Sequence, residues 1–181
     1  MAEINSPFIL LTFILLFATY TDIKRHLIPN ALSLGGIVIG LSINIYQSGF
    51  DGALFSLGGM AVGFFLFIPF YAMKGMAAGD VKLMAAIGTF LGPSTTFAVA
   101  LSTLICGAVL ALAYIAIKNG GKQTFQRYGT MLKTLKSTHK WIYIKPSDQD
   151  VGSLRFPYAG AILTGTFVGI YYVNNTLPFY T

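Results

Sequence analysis

Tyr20-Thr21-Asp22-Ile23-Lys24-Arg25-His26-Leu27-Ile28-Pro29-Asn30 decides how the rest of the chain is read. It closes one apolar run, Pro7 to Tyr20, and opens another, with an aspartate, two cations and a histidine between them. An ionisable group at membrane depth is costly, so its default reading is a functional site with a partner to be named. The partner lies downstream in Gly75-Met76-Ala77-Ala78-Gly79-Asp80-Val81-Lys82-Leu83-Met84-Ala85-Ala86, where Asp80 opens a further apolar run. Two facing carboxylates that share one proton can run general acid–base hydrolysis.

Composition fits that setting. Of 181 residues, 55% are hydrophobic and 10% charged, and the mean hydropathy is +0.68. A soluble domain carries about 25% charged residues. The chain therefore reads as an all-α, polytopic integral membrane protein, with residues 1–181 forming one membrane-embedded domain. Cys106 is the single cysteine, in an apolar run, which excludes a structural disulfide within the chain and any CxxC metal site. It reads as a small buried apolar residue. Met1 to Phe8 holds Glu3 but no cation, whereas Lys24 and Arg25 follow the apolar run. A secretory signal has the reverse order, so the run predicts a retained anchor.

A bilayer core takes about 20 apolar residues per helix. Six segments are expected, at about 5–21, 28–47, 53–73, 80–92, 94–117 and 156–175. Gly49-Phe50-Asp51-Gly52 and Gly92-Pro93-Ser94 punctuate the joins. The fourth is short, which predicts that Gly75 to Gly79 extends it as unwound backbone dipping below the surface. With the N-terminus outside, all twelve Lys and Arg fall on the cytoplasmic side, and Glu3 and Asp51 lie outside. The net charge of +6 is then topological and does not call for nucleic acid. The same topology puts Asp22 and Asp80 at one face.

The basic cytoplasmic loop 118–155 carries Phe125, Tyr128, Leu132 and Leu135 at helical spacing among lysines and Arg127. It reads equally as an amphipathic helix on anionic membrane lipids and as a solvated loop whose charges enforce topology. Small-xxx-small pairs, Gly36/Gly40, Gly59/Gly63 and Gly165/Gly169, predict tight helix packing.

Each candidate has a plainer reading. Asp80 could be a helix N-cap, and Asp22 could pair at the surface with Arg25 or His26. Exposed pairs of that kind contribute little. Gly79 permits close approach of a substrate backbone or an unusual φ/ψ. Lys82 reads as a snorkelling anchor, Pro29 as a first-turn helix residue and Asn30 as a hydrogen-bonding group of the polar site. His26 and His139 receive no catalytic role. No GxSxG elbow, HExxH or Walker loop occurs. Metal ligation would have only two carboxylates and at most one histidine, so no metal is expected.

Asp22 with Lys24 to Asn30 resembles the D-x-x-x-R-x-I-P-N signature of prepilin peptidases. Ala77-Ala78-Gly79-Asp80-Val81-Lys82-Leu83 resembles the GxGD-V-K-L block of the same aspartyl proteases. Phe156-Pro157-Tyr158-Ala159-Gly160-Ala161-Ile162 is similar to the start of their last span. One departure is Ala77, where the family has the first glycine of GxGD; its methyl limits φ > 0.

The resemblance implies a type IV prepilin peptidase of the cell (cytoplasmic) membrane, with Asp22 and Asp80 catalytic and Gly79, Pro29, Asn30 and Lys82 supporting. Its partner would be a prepilin or pseudopilin precursor, cut after a glycine, with no cofactor. Long members also methylate the new N-terminus and carry an insert with two CxxC pairs after the first helix. Asp22 to Pro29 has no room for it, so the chain looks like the short form serving tight-adherence (Flp-type) pili. Two rivals stand beside this: a non-enzymatic transporter component with an aspartate proton relay, and a relative cutting archaellin-like precursors.

Overall fold

The computed structural model describes residues 5–117 and 158–176, and among them every regular element is an α-helix. They are α1 (Asn5–Arg25), α2 (Asn30–Ala72), α3 (Ala78–Ile117) and α4 (Ala159–Thr176). The basic loop 118–155, with its expected amphipathic helix, lies outside the described residues. The contacts described below all fall within one compact unit, residues 1–107 and 157–181.

Among the described residues, three helices are long and apolar enough to cross a membrane: Pro7–Arg25, Asn30–Ala72 and Ala78–Ala113. At 43 residues, α2 is roughly 65 Å of helix, about twice the hydrocarbon thickness of a bilayer. It does not run straight. Gly49 has φ 57° and ψ −129°, a left-handed conformation suited to glycine. Beyond it the chain folds back so closely that a Cβ on Gly52 would strike the carbonyl of Asn44. α3 breaks in the same way at Gly92, φ 72°, where a side chain would run into the Phe55 ring, and Pro93 follows. The sequence-based joins at 49–52 and 92–94 are therefore where the two long helices divide into limbs.

The first limb of α3 (78–91) is the centre of the bundle. Val81, Leu83, Met84, Ala85, Ala86, Ile87, Thr89 and Phe90 are all buried. A helix apolar all round must be enclosed all round, and the glycine pairs enclose it. Gly36 and Gly40 of α2 meet Ala86 and Thr89–Phe90, while Gly59 and Gly63 meet the backbone of Gly88 and Met84. Numbers rise together in the first set and oppose in the second, so the two limbs of α2 run in opposite directions along α3. Gly165 and Gly169 of α4 likewise lie against Thr103 and Val99 on the second limb of α3. All three small-residue pairs are packing seams.

Pro93 sets a local problem. It has no N–H to offer the carbonyl of Thr89, four residues earlier. Buried in an apolar bundle, that oxygen needs other donors. Asn44 Nδ2 and Ser56 Oγ both donate to it, each at 2.8 Å. The exterior is apolar instead: Phe13, Phe17, Phe65, Ile105 and Leu112 are more than half exposed. Chain and surface together describe a multi-pass membrane protein.

Three local expectations change. α1 extends to Arg25, so Asp22 sits within the last turn of the helix. The segment before Asp80 is a tight turn, closed by Gly75 N–H donating to Phe70 O at 2.8 Å with Lys74 at φ 59°. Of the stretch expected to be unwound, Ala78 and Gly79 are already helical and only Gly75 to Ala77 are non-helical. Pro29 takes the N-cap position of α2, one residue ahead of the first turn.

Candidate active site

One end of the bundle gathers the end of α1 and the starts of α2, α3 and α4. Asp22 comes from the first and Asp80 from the third. Both side chains are nearly enclosed, 7% and 4% exposed, and the two carboxylates lie within electrostatic range of each other. The topological expectation that they share an end is met by this placement.

Each carboxylate places one oxygen against a helix N-terminus. Asp80 is the third residue of α3, and its Oδ2 accepts from the N–H of Ala77, the residue before the helix, at 3.0 Å. This is the returning half of a capping box. The plainer reading of Asp80 as a capping group is thus physically present, at the third helical position and not at the cap itself. Asp22 does something different. At the C-terminal end of α1 it faces the negative end of its own helix dipole. Its Oδ2 accepts from the N–H of Ala159 at 2.9 Å, in the first turn of α4. The positive end of a distant helix offsets the unfavourable end of its own. A surface pair with Arg25 or His26 is not what holds it, for both of those are exposed while Asp22 is buried.

The neighbouring candidates also meet. Lys82 Nζ donates to Asn30 Oδ1 at 2.8 Å, tying the start of α2 to α3 just past its first turn. Gly79 has ordinary negative φ; what it provides is space, since a Cβ there would lie 3.1 Å from Ile28 Cβ. The glycine thus docks the Ile28-Pro29-Asn30 corner onto the Asp80 turn, with the close neighbour a side chain of this protein. Ala77 is not among the positive-φ residues, so its methyl fits the backbone found here. Pro29 is exposed and positions the corner by its fixed φ of −60°.

Two residues at this end were not singled out from sequence. Ala159 acts through its backbone N–H, which no side-chain pattern announces. Tyr158 lies within electrostatic range of Asp80 and donates through its hydroxyl to Thr103 O at 3.4 Å. Its only sequence signal was its place in the Phe156–Ile162 block. Next to them, Gly160 faces open space, with nothing within 4 Å of where a Cβ would be.

A family model described as the type IV leader peptidase family matches residues 9–112, a stretch holding both aspartates. The prepilin leader peptidase/N-methyltransferase of Legionella pneumophila is 34% identical over 131 residues, 68% of this chain and 45% of its own length. That of Aeromonas hydrophila is 30% identical over 61% of this chain and 40% of its own. The prepilin peptidase EppA of Methanocaldococcus jannaschii is 25% identical over 98% of this chain and 50% of its own. The chain spans about half the length of the curated relatives it matches. No solved structure matches it.

Proposed function

The chain belongs to the type IV leader peptidase family, and from that premise we propose that it is a membrane aspartyl endopeptidase. It removes the leader from type IV, Flp-like prepilins or pseudopilins at the cytoplasmic face of the cell membrane, with Asp22 and Asp80 as the catalytic pair. The observation that carries the reading is the convergence of two enclosed carboxylates from separate helices, each with one oxygen on a helix-terminal N–H.

The chemistry follows from that pairing. One aspartate, ionised, takes a proton from water as the water oxygen attacks the scissile carbonyl carbon. The other, protonated, gives its proton to the carbonyl oxygen as charge develops there. Collapse of the tetrahedral intermediate breaks the C–N bond: the leaving amine takes the first proton, and the hydroxyl formed from the carbonyl oxygen returns its proton to the second aspartate as the C=O bond re-forms. The pair titrates as a unit, so neither role is attached to one residue. Lys82 and Asn30 hold the α2 corner against the α3 turn; Gly79 lets the two approach. The open space at Gly160 is room for an extended substrate backbone.

The six helical limbs read as six crossings with the N-terminus outside. The short segment from Asp22 to Pro29 leaves no place for the cytoplasmic insert of the longer methylating forms, so the reading is of a peptidase alone. The test is co-expression with a prepilin, read as a mobility shift and by the mass of the new N-terminus. Wild type is expected to cleave without adding a methyl group. Asp22→Ala and Asp80→Ala are expected to leave the precursor intact while remaining in the membrane. Normal processing by either variant removes the pair from the account.

A further inference from the structure

We propose that Tyr158 is a positioning residue, and that a notch at Gly107 seats its ring so that the start of α4 presents the Ala159 N–H to Asp22. This rests on the reading of Asp22 as catalytic. Among the described residues, α4 has no capping side chain from its own segment. Ile162 N–H bonds to Tyr158 O at 3.1 Å, which makes Tyr158 the cap residue, and a tyrosine cannot turn its hydroxyl back onto the first-turn N–H groups. Asp22 serves instead, from another helix, so the geometry of its carboxylate depends on where α4 starts.

Three contacts among the described residues bear on that start. Thr19 Oγ1, on α1, gives its one proton chiefly to Leu15 O at 2.8 Å and lies 3.3 Å from Ala159 O. The Tyr158 hydroxyl donates to Thr103 O at 3.4 Å. One turn beyond Thr103, Gly107 lies flat against the tyrosine: a Cβ there would meet its hydroxyl oxygen first and come within 2.6 Å of ring atoms Cε2 and Cζ. The hydroxyl bond is long and weak, whereas a Cβ at Gly107 would force the outer end of the tyrosine to shift. The ring in its notch is therefore the stronger locator, and Ala159, fully buried, has no freedom to compensate.

The experiment measures kcat and KM of the full-length protein on a prepilin substrate, per mole of folded enzyme. Tyr158→Phe keeps the ring and is expected to retain activity within about twofold. Gly107→Ala pushes the ring out and is expected to lower kcat by about tenfold to a hundredfold with KM unchanged, as a sub-ångström to ångström misplacement of a catalytic group does. Tyr158→Leu is expected to lower kcat similarly. The double variant Gly107→Ala/Tyr158→Leu is expected to be no worse than either single, because both act through one seat. Wild-type kcat in Gly107→Ala, losses that multiply in the double variant, or a loss lying wholly in KM would each overturn the proposal. If Asp22→Ala itself cleaves normally, the proposed function has failed and this inference with it. If Asp22→Ala is inactive and Gly107→Ala is not impaired, only the seat is wrong.

Discussion

Asp22 and Asp80 are both enclosed and both bonded to a backbone N–H, yet those bonds do different structural work. Asp80 caps its own helix, whereas Asp22 satisfies a donor that belongs to a helix more than a hundred residues further along the chain. An asparagine at either position keeps an oxygen for that N–H but cannot exchange the proton. Asp22→Asn and Asp80→Asn are therefore expected to unfold in detergent at the wild-type temperature and to lose about a thousandfold or more in cleavage rate. Alanine should lose the same activity and stability besides. For Asp80→Ala the loss is that of a cap, about 1 kcal/mol; for Asp22→Ala an enclosed N–H is left unpaired, about 1–3 kcal/mol. Thermal unfolding followed beside activity separates the two contributions. Both aspartates were legible because a carboxylate interrupting an apolar run is costly to keep and so points to a use. Gly79 was legible as important, but its reason was not: closeness to Ile28 is a three-dimensional fact, and from sequence alone φ > 0 would account for the glycine equally well. Ala159 was not legible at all, since a backbone donor looks the same at every residue.

At the scale of helices, the packing is governed by absent side chains. Gly59 and Gly63 bring the second limb of α2 onto the backbone of α3, where a methyl would overlap the carbonyl of Gly88 or of Met84. Backbone is not free to move aside as a side-chain end is, so Gly59→Ala and Gly63→Ala are each expected to destabilise by about 1–3 kcal/mol. Gly35, on the same helix, has nothing within 4 Å of its would-be Cβ. Gly35→Ala should be neutral or stabilise by up to about 1 kcal/mol, because alanine favours the helix. Equal effects at Gly35 and Gly59 would show that these glycines act through helix propensity and not through contact. The joins at Gly49 and Gly92 were readable because glycine and proline punctuate long apolar runs. The turn before Asp80 was misread in its extent: a short apolar run suggested unwound backbone through Gly79, while the helix already begins at Ala78. The role of Asn44 and Ser56 was hidden because the acceptor they share is an oxygen left over by a missing proline N–H.

For the molecule as a whole, chemistry and topology are one question. A pair of aspartates can act together only if the helix ends that carry them lie on one side of the membrane, and the described contacts bring those ends together: Asp22 with Ala159, Asn30 with Lys82, Gly79 with Ile28. Antiparallel limbs in α2 and the reversal at Gly92 explain how a chain of alternating direction returns there. Which side of the membrane that end faces is not fixed by contacts among helices; it follows from charge. Lys24, Arg25, Lys74 and Lys82 flank the paired ends, while Asp51 lies just past the Gly49 reversal at the other. The bias of short loops toward cytoplasmic Lys and Arg supports the proposed placement of the carboxylates at the cytoplasmic face. With Cys106 replaced by alanine, single cysteines at His26 and Met73 are expected to react with a membrane-impermeant thiol reagent only after the cells are opened. One at Gln47 should react in intact cells. Labelling of the His26 and Met73 positions from opposite sides would separate the two helix ends, and no arrangement of Asp22 and Asp80 as a working pair would survive that result.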